Sequence, residues 1–321
     1  MTTFFLNRLA TEPHALAFAG QSTPWPVALA DQTTDPSLDE ALRGHVAAAG
    51  RLLTPVAADL LATTGRPVDL FGFAPNPARL GAAADATASV EGVALTQLGA
   101  LLDLEHLGYS VAQAKPLAVL GHSQGVLAVH MTRAIEAAGS IEAAGTTLDE
   151  ILAVAALIGA AGTRRVRELG LNPKYGEASP MLSVKGATRA QVEALVARVN
   201  NARGPISIAV TNSDNHHVLS GYPEDLAAFA LEAEREHQHQ AKLREQKLHG
   251  GTVFNPTLEY LEVTLPFHSP LMTDAVEQTV AWAGACGFDQ KRTRALAEEV
   301  LLNHVDWNAR VKALFDDADP S

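Results

Sequence analysis

Gly121-His122-Ser123-Gln124-Gly125 constrains this chain more than any other five residues in it. It fits G-x-S-x-G, and its flanks matter as much as its letters. Pro116 to Leu120 before it reads as a short buried strand, and Val126 to Ala138 after it as a helix. A strand feeding a helix through two glycines must turn sharply, and the turn leaves the serine at its tip. The Ser123 hydroxyl is then within reach of an acyl group. The amide N–H of Gln124, at the new helix start, can point at a developing oxyanion. A small-residue turn without chemistry has the same letters; the periodicity of both flanks favours a nucleophile.

The 321 residues are 47% hydrophobic and 19% charged, which suits one large α/β domain with a lobe inserted and a sizeable core. A net charge of −12 argues against nucleic acid as a partner. The single cysteine, Cys286, excludes an internal disulfide framework, fits a reducing cytoplasm and reads as a small core residue. No basic region followed by an apolar run opens the chain. The longest apolar stretch, Ile151 to Gly162, is short for a bilayer and rich in Ala and Gly. The expectation is a soluble cytoplasmic protein with no membrane partner. His237 and His239, two apart in a charged helix, do not share a face and read as solvated rather than as metal ligands.

Along the chain, Ala15 to Ala19 reads as a strand, Leu38 to Thr64 as one long helix or two, and Ala94 to Leu107 as another helix. Leu148 to Leu169 reads as an apolar helix ending in Arg164, Arg165 and Arg167, cations that suit the negative end of the dipole. This alternation predicts a parallel sheet covered by helices. The pattern then changes to strand 180–184, helix 189–200, strands 206–212 and 217–220 around Ser213-Asp214-Asn215, helix 224–247 and strand 259–265. That β-α-β-β-α-β order is the ferredoxin-like unit. Helices at 271–284 and 294–302 follow, and the chain stops soon after Trp307 in an acidic tail.

A serine needs a base within about 2.6–3.2 Å to act as a nucleophile. His268, in Leu265-Pro266-Phe267-His268-Ser269-Pro270, sits past a strand end in a turn framed by two prolines, which fix a side chain where a sheet meets solvent. His216 and His217 are rivals, placed in a hairpin near Asp214 and read as solvated.

With these motifs the chain resembles the malonyl-CoA:acyl-carrier-protein transacylases and the acyltransferase domains of fatty acid and polyketide synthases. The resemblance covers nearly the whole chain. It rests on Phe18 to Ser22, Gly121 to Gly125, Asn212 with Val218 to Gly221, Pro266 to Pro270 and Val305 to Trp307, in matching order and spacing. The Gly-His-Ser-Gln-Gly form looks most like the acetyltransferase, acyl-loading domain of type I fatty acid synthases. The resemblance implies an α/β-hydrolase-like large lobe with a parallel sheet, 1–178 and 264–321, and an inserted ferredoxin-like lobe, 179–263. It implies a Ser123–His268 dyad, oxyanion donors from the amides of Gln21 and Gln124, and a substrate-side role for Asn212. The histidine would be oriented by a backbone carbonyl in Glu299 to Asn303, with Val300 as the choice.

One departure concerns the substrate. Malonyl-specific members carry an arginine whose fork clamps the malonyl carboxylate; here Ile158 occupies its place. Burying a free carboxylate against Ile158 would cost several kcal/mol, so the pocket is expected to take acetyl or a similar uncharged acyl group. The family also continues past the tryptophan with a further strand, whereas Ser321 ends this chain, as in an excised domain or the front of a larger multienzyme.

The implied reaction is ping-pong transfer from acyl-CoA through an acyl-serine to the phosphopantetheine thiol of an acyl carrier protein or domain, beside other domains of a synthase. It uses no metal or redox cofactor. A serine esterase or thioesterase, with Asp214 and His268 as acid and base, is the alternative; an inactive scaffold is the other. Arg164, Arg165, Arg167, Lys174 and Lys185, or Lys242, Arg244 and Lys247, are candidate basic faces for the carrier or for coenzyme A phosphates.

Overall fold

The structure is a computed structural model that describes residues 8–9, 12–21, 24–65, 67–73, 85–171, 179–202, 205–246 and 253–316. In chain order the elements are β1 (Ala15–Phe18), α1 (Trp25–Gln32), α2 (Pro36–Leu52), α3 (Ala57–Thr64), α4 (Ala86–His106), α5 (Val111–Ala114), β2 (Ala118–Gly121), α6 (Val126–Ala138) and α7 (Ile141–Glu168). Then come β3 (Met181–Lys185), α8 (Arg189–Ala202), β4 (Ser207–Ser213), β5 (His216–Ser220), α9 (Pro223–Glu245) and β6 (Thr257–Tyr260). The last are α10 (Thr273–Ala285), α11 (Gln290–Leu301), β7 (Val305–Asp306) and α12 (Trp307–Asp316). The chain divides into two compact units, Met1–Glu168 with Asp274–Val300, and Leu169–Thr273 with Leu301–Ser321.

The first unit is a helical body around a short parallel pair. β1 and β2 run parallel from Ala15↔Ala118 to Phe18↔Gly121 and are the unit's only sheet among the described residues. The expected helix over 38–64 is two, broken by a 3-10 turn at Thr54–Val56 where Pro55 cannot continue the ladder. α4 starts eight residues before the expected Ala94, because Asp85 caps it by accepting from the Thr87 N–H at 2.9 Å. It is buried almost all round, and Leu95, Leu98 and Leu101 have no exposed surface. α7 packs along α4 and α6. At 28 residues it exceeds the expected helix and is long and apolar enough to cross a membrane, yet 61% of its most apolar window is buried inside the protein.

The second unit carries the expected β-α-β-β-α-β order. Its sheet runs β6-β3-β5-β4-β7, antiparallel except for the parallel β4–β7 edge. Leu182, Val184 and Leu219 face α8 and α9, where Val192, Leu195, Leu226 and Phe229 close the core. The last strand is β6, Thr257–Tyr260, rather than 259–265; Leu265 to Ser269 follow as a buried turn. The boundaries also depart from 179–263. The His268 turn and residues 301–321 belong to this unit, because β7 extends its sheet and the Ser269 N–H donates to the Leu301 carbonyl at 3.1 Å.

Candidate active site

Each candidate catalytic residue is built by its own unit. In the first, β2 ends at Gly121, and Ser123–Gly125 form a 3-10 turn that runs into α6. Ser123 sits at φ +52°, a left-handed backbone that a side chain rarely adopts. The turn is closed by the His122 N–H donating to Phe18 O and the Gly125 N–H to His122 O, each at 2.9 Å. Its glycines are there for space. A Cβ on Gly125 would meet Ala19 O at 2.8 Å, and one on Gly20 would meet His122 O at 2.7 Å and Ser123 Cβ at 2.9 Å.

Gln21 and Gln124, the expected oxyanion residues, both lie in this unit, and both side chains are tied to α4. Gln21 Nε2 donates to Ser89 Oγ at 2.5 Å, and Gln124 Nε2 to the Val90 carbonyl at 2.7 Å. Gln97 Nε2 donates to the Ala19 carbonyl at 2.6 Å. The amide oxygens of Gln21, Gln97 and Gln124 are buried with no hydrogen-bond partner, a cost of about 1–3 kcal/mol each. Glu91, also on α4, is buried, and burial pushes its carboxyl up to about 7. Sequence reasoning missed Ser89, Gln97 and Glu91; the signal was their polarity inside an apolar helix. Ile158 lies on α7 with no exposed surface, packed as a core side chain.

In the second unit His268 is 2% exposed, at φ +56°. Its Nδ1 lies 2.7 Å from the Asn303 carbonyl. A carbonyl only accepts, so Nδ1 carries the proton and Nε2 keeps the lone pair a base needs. The orienting carbonyl is therefore that of Asn303 and not of Val300, which is fully buried within α11, where helix geometry directs its carbonyl along the axis. Asn212 occupies the bulge between Thr211 and Ser213 on β4 and is half-buried; bulges re-aim a side chain.

Other expectations need correction. His217 is fully buried and His216 lies 3.0 Å from Ser183 Oγ, so neither is a solvated turn residue; both belong to β5. Asp214 accepts from Lys312 Nζ at 2.9 Å and from Asn308 Nδ2 at 2.7 Å, which holds its carboxyl below the usual range. That commits it at the sheet edge, and it is not the group on His268 Nδ1. The first basic cluster is largely paired: Arg164 with Glu168, Arg165 with Asp274 and Lys185 with Glu259, while Arg167 donates to the Thr63 carbonyl. Lys174 and Lys247 lie outside the described residues. His237 is tied to the Phe254 carbonyl at 2.7 Å.

Residues 180–260 match the model of the fatty acid synthase central AT domain. Over that stretch the chain is similar to the acyltransferase domain of fatty acid synthases. The fatty acid synthase beta subunit TOXC of Cochliobolus carbonum is 29% identical over 163 residues, 46% of this chain and 8% of that protein. Fatty acid synthase 2 of Mycosarcoma maydis is 29% identical over 168 residues, 49% of this chain and 4% of that protein. The chain thus spans a small part of the curated relatives it matches. Among solved structures, the malonyl CoA-acyl carrier protein transacylase of Coxiella burnetii shares the fold with a TM-score of 0.62, at 16% identity over 96% of this chain and 84% of that one. The malonyl-transacylase in complex with a type II polyketide synthase acyl-carrier protein gives 0.63, at 15% identity over 96% and 86%. The mixed α/β architecture expected from the sequence is that of these structures.

Proposed function

We propose that this domain transfers a short uncharged acyl group, acetyl foremost, from a coenzyme A thioester to the pantetheine thiol of an acyl carrier protein, by way of an ester on Ser123. One observation carries the reading. Among the described residues only three non-glycine residues have positive φ, and two of them are Ser123 and His268. Such strain costs on the order of 1–3 kcal/mol per residue and persists where surroundings enforce it, most often at active sites.

In the proposed reaction His268 Nε2 takes the Ser123 proton as Oγ attacks the thioester carbonyl. The amides of Gln21 and Gln124 hold the oxyanion, an effect of roughly 3–4 kcal/mol per donor in comparable sites. The C–S bond breaks, coenzyme A leaves with the proton from His268, and acyl-serine remains. The carrier thiol then gives its proton to His268 and attacks the ester carbonyl; the bond to Ser123 Oγ breaks, and the serine oxygen leaves with the proton from His268. Proton transfers alone balance both halves, so the chemistry calls for no metal or redox cofactor. The carrier as acceptor is supported by the fold shared with the transacylase–carrier complex.

Selectivity for an uncharged group rests on the resemblance, in which Ile158 stands where malonyl-specific members carry an arginine and offers no counter-charge to a malonyl carboxylate. The test is intact-protein mass after incubation with acetyl-CoA or malonyl-CoA. Wild type should gain an acetyl adduct and pass it to a carrier thiol; Ser123→Ala and His268→Ala should not form it. An adduct at normal rate on Ser123→Ala removes the serine from its role, and free acid in place of acyl-carrier would make the enzyme a hydrolase. Wild type that loads malonyl as fast as acetyl overturns the selectivity argument; Ile158→Arg should shift loading toward malonyl.

A further inference from the structure

The loop after β1 is clamped by one helix at two points. Ser89 Oγ takes the Gln21 side chain, and Gln97 Nε2 takes the Ala19 carbonyl, at 2.5 and 2.6 Å. Both residues are buried on α4, 1% and 8% exposed. Eight residues of helix separate the two anchors by about 12 Å along its axis, so the loop cannot swing about a single bond. Between its tied ends lies Gly20, with no room for a Cβ against His122 and Ser123. The loop is thus pressed on one side by the serine turn and held on the other by α4. The same helix takes the Gln124 side chain on the Val90 carbonyl. These bonds leave three buried amide oxygens without partners, a cost that apolar side chains of similar shape would avoid.

We infer that Ser89 and Gln97 are positioning residues that fix the Gln21 amide for the oxyanion. The inference rests on the proposed acyl-serine chemistry and deepens it. Gln21 lies beyond β1, which ends at Phe18, and the direction of its N–H follows from where α4 holds the loop. A donor aimed at the oxyanion contributes in the transition state and little to ground-state binding.

The experiment is single-turnover acylation by acetyl-CoA, quenched and read by intact mass, on wild type, Ser89→Ala, Ser89→Thr, Gln97→Leu and Ser123→Ala, with thermal unfolding of each. Ser89→Ala and Gln97→Leu should acylate about tenfold to a hundredfold more slowly, the range expected for a misplaced reacting group. The half-saturating acetyl-CoA concentration should stay unchanged, and Ser89→Thr should regain most of the rate. Unchanged rates overturn the inference, as does a loss that appears in half-saturation or a threonine no better than alanine. If one variant fails to fold, the other decides by the same split between rate and half-saturation. Acylation of Ser123→Ala would instead sink the underlying chemistry.

Discussion

Both units hold a non-glycine residue in a left-handed turn, and they do it by different means. Around Ser123 the constraint is steric: Gly20, Gly121 and Gly125 let backbone approach backbone so closely that no side chain fits. Around His268 no glycine takes part. Its turn is held by hydrogen bonds to a segment more than thirty residues onward, through the Leu301 and Asn303 carbonyls. A steric frame is written in residue identities; a carbonyl frame uses the one group every residue has. The two turns should therefore respond to substitution in different ways.

The largest effect is expected in the steric frame. Gly125→Val would push a side chain onto the Phe18 and Ala19 carbonyls, backbone that cannot step aside. Overpacking of this kind costs about 3 kcal/mol or more at its upper end. Denaturant unfolding should show the loss, and the acyl adduct should vanish; a variant that unfolds and acylates like wild type would break the steric account.

The next effect is electrostatic and also belongs to the first unit. Burial raises the Glu91 carboxyl from 4.5 to about 7. The folded chain then keeps a proton that the unfolded chain releases, so stability is full below about pH 4.5 and falls as the pH rises toward 7. The linkage amounts to roughly 3 kcal/mol. Glu91→Gln should flatten that decline and be the more stable protein at pH 8. Identical curves for both proteins between pH 5 and 8 would show that the carboxyl is not the cause.

The second unit has the opposite sign. His217 on β5 is fully buried, and burial lowers its imidazole below 6.5. Below that pH the unfolded chain takes a proton that the folded unit resists, so stability is lost as the pH falls from about 6.5 toward the depressed folded value. The effect should be smaller than that of Glu91. The Asp214 and Ala187 backbone and Glu193 all favour the charged ring here, whereas burial stands alone at Glu91. The protection factors of the β5 amides, taken relative to intrinsic exchange at each pH, should fall between pH 7 and 5 in wild type and not in His217→Leu.

This contrast also explains what could be read from the chain. The serine turn was legible because glycines mark it, and the second unit's strand order was legible because alternation and a polar turn mark its hairpin. The start of α4 was not, because its cap lies nine residues before the apolar run that announces it. The polar contacts from α4 escaped notice because Ser89 and Gln97 acquire meaning only against a loop some seventy residues earlier. The resemblance narrowed the histidine's partner to Glu299–Asn303 without assigning it, since nothing in a sequence says which way a carbonyl faces.

The smallest expected effect is the sharpest test of the carbonyl frame. Asn303 is exposed, and what reaches His268 Nδ1 is its backbone oxygen. Asn303→Ala removes the amide side chain and leaves that oxygen where it was. Exposed substitutions of this kind stay within about 0.5 kcal/mol, so acylation should stay within about twofold of wild type. A large loss of rate with the fold intact would mean that the Asn303 side chain itself takes part. The histidine turn would then be framed by residue identity after all, and the difference between the two turns would disappear.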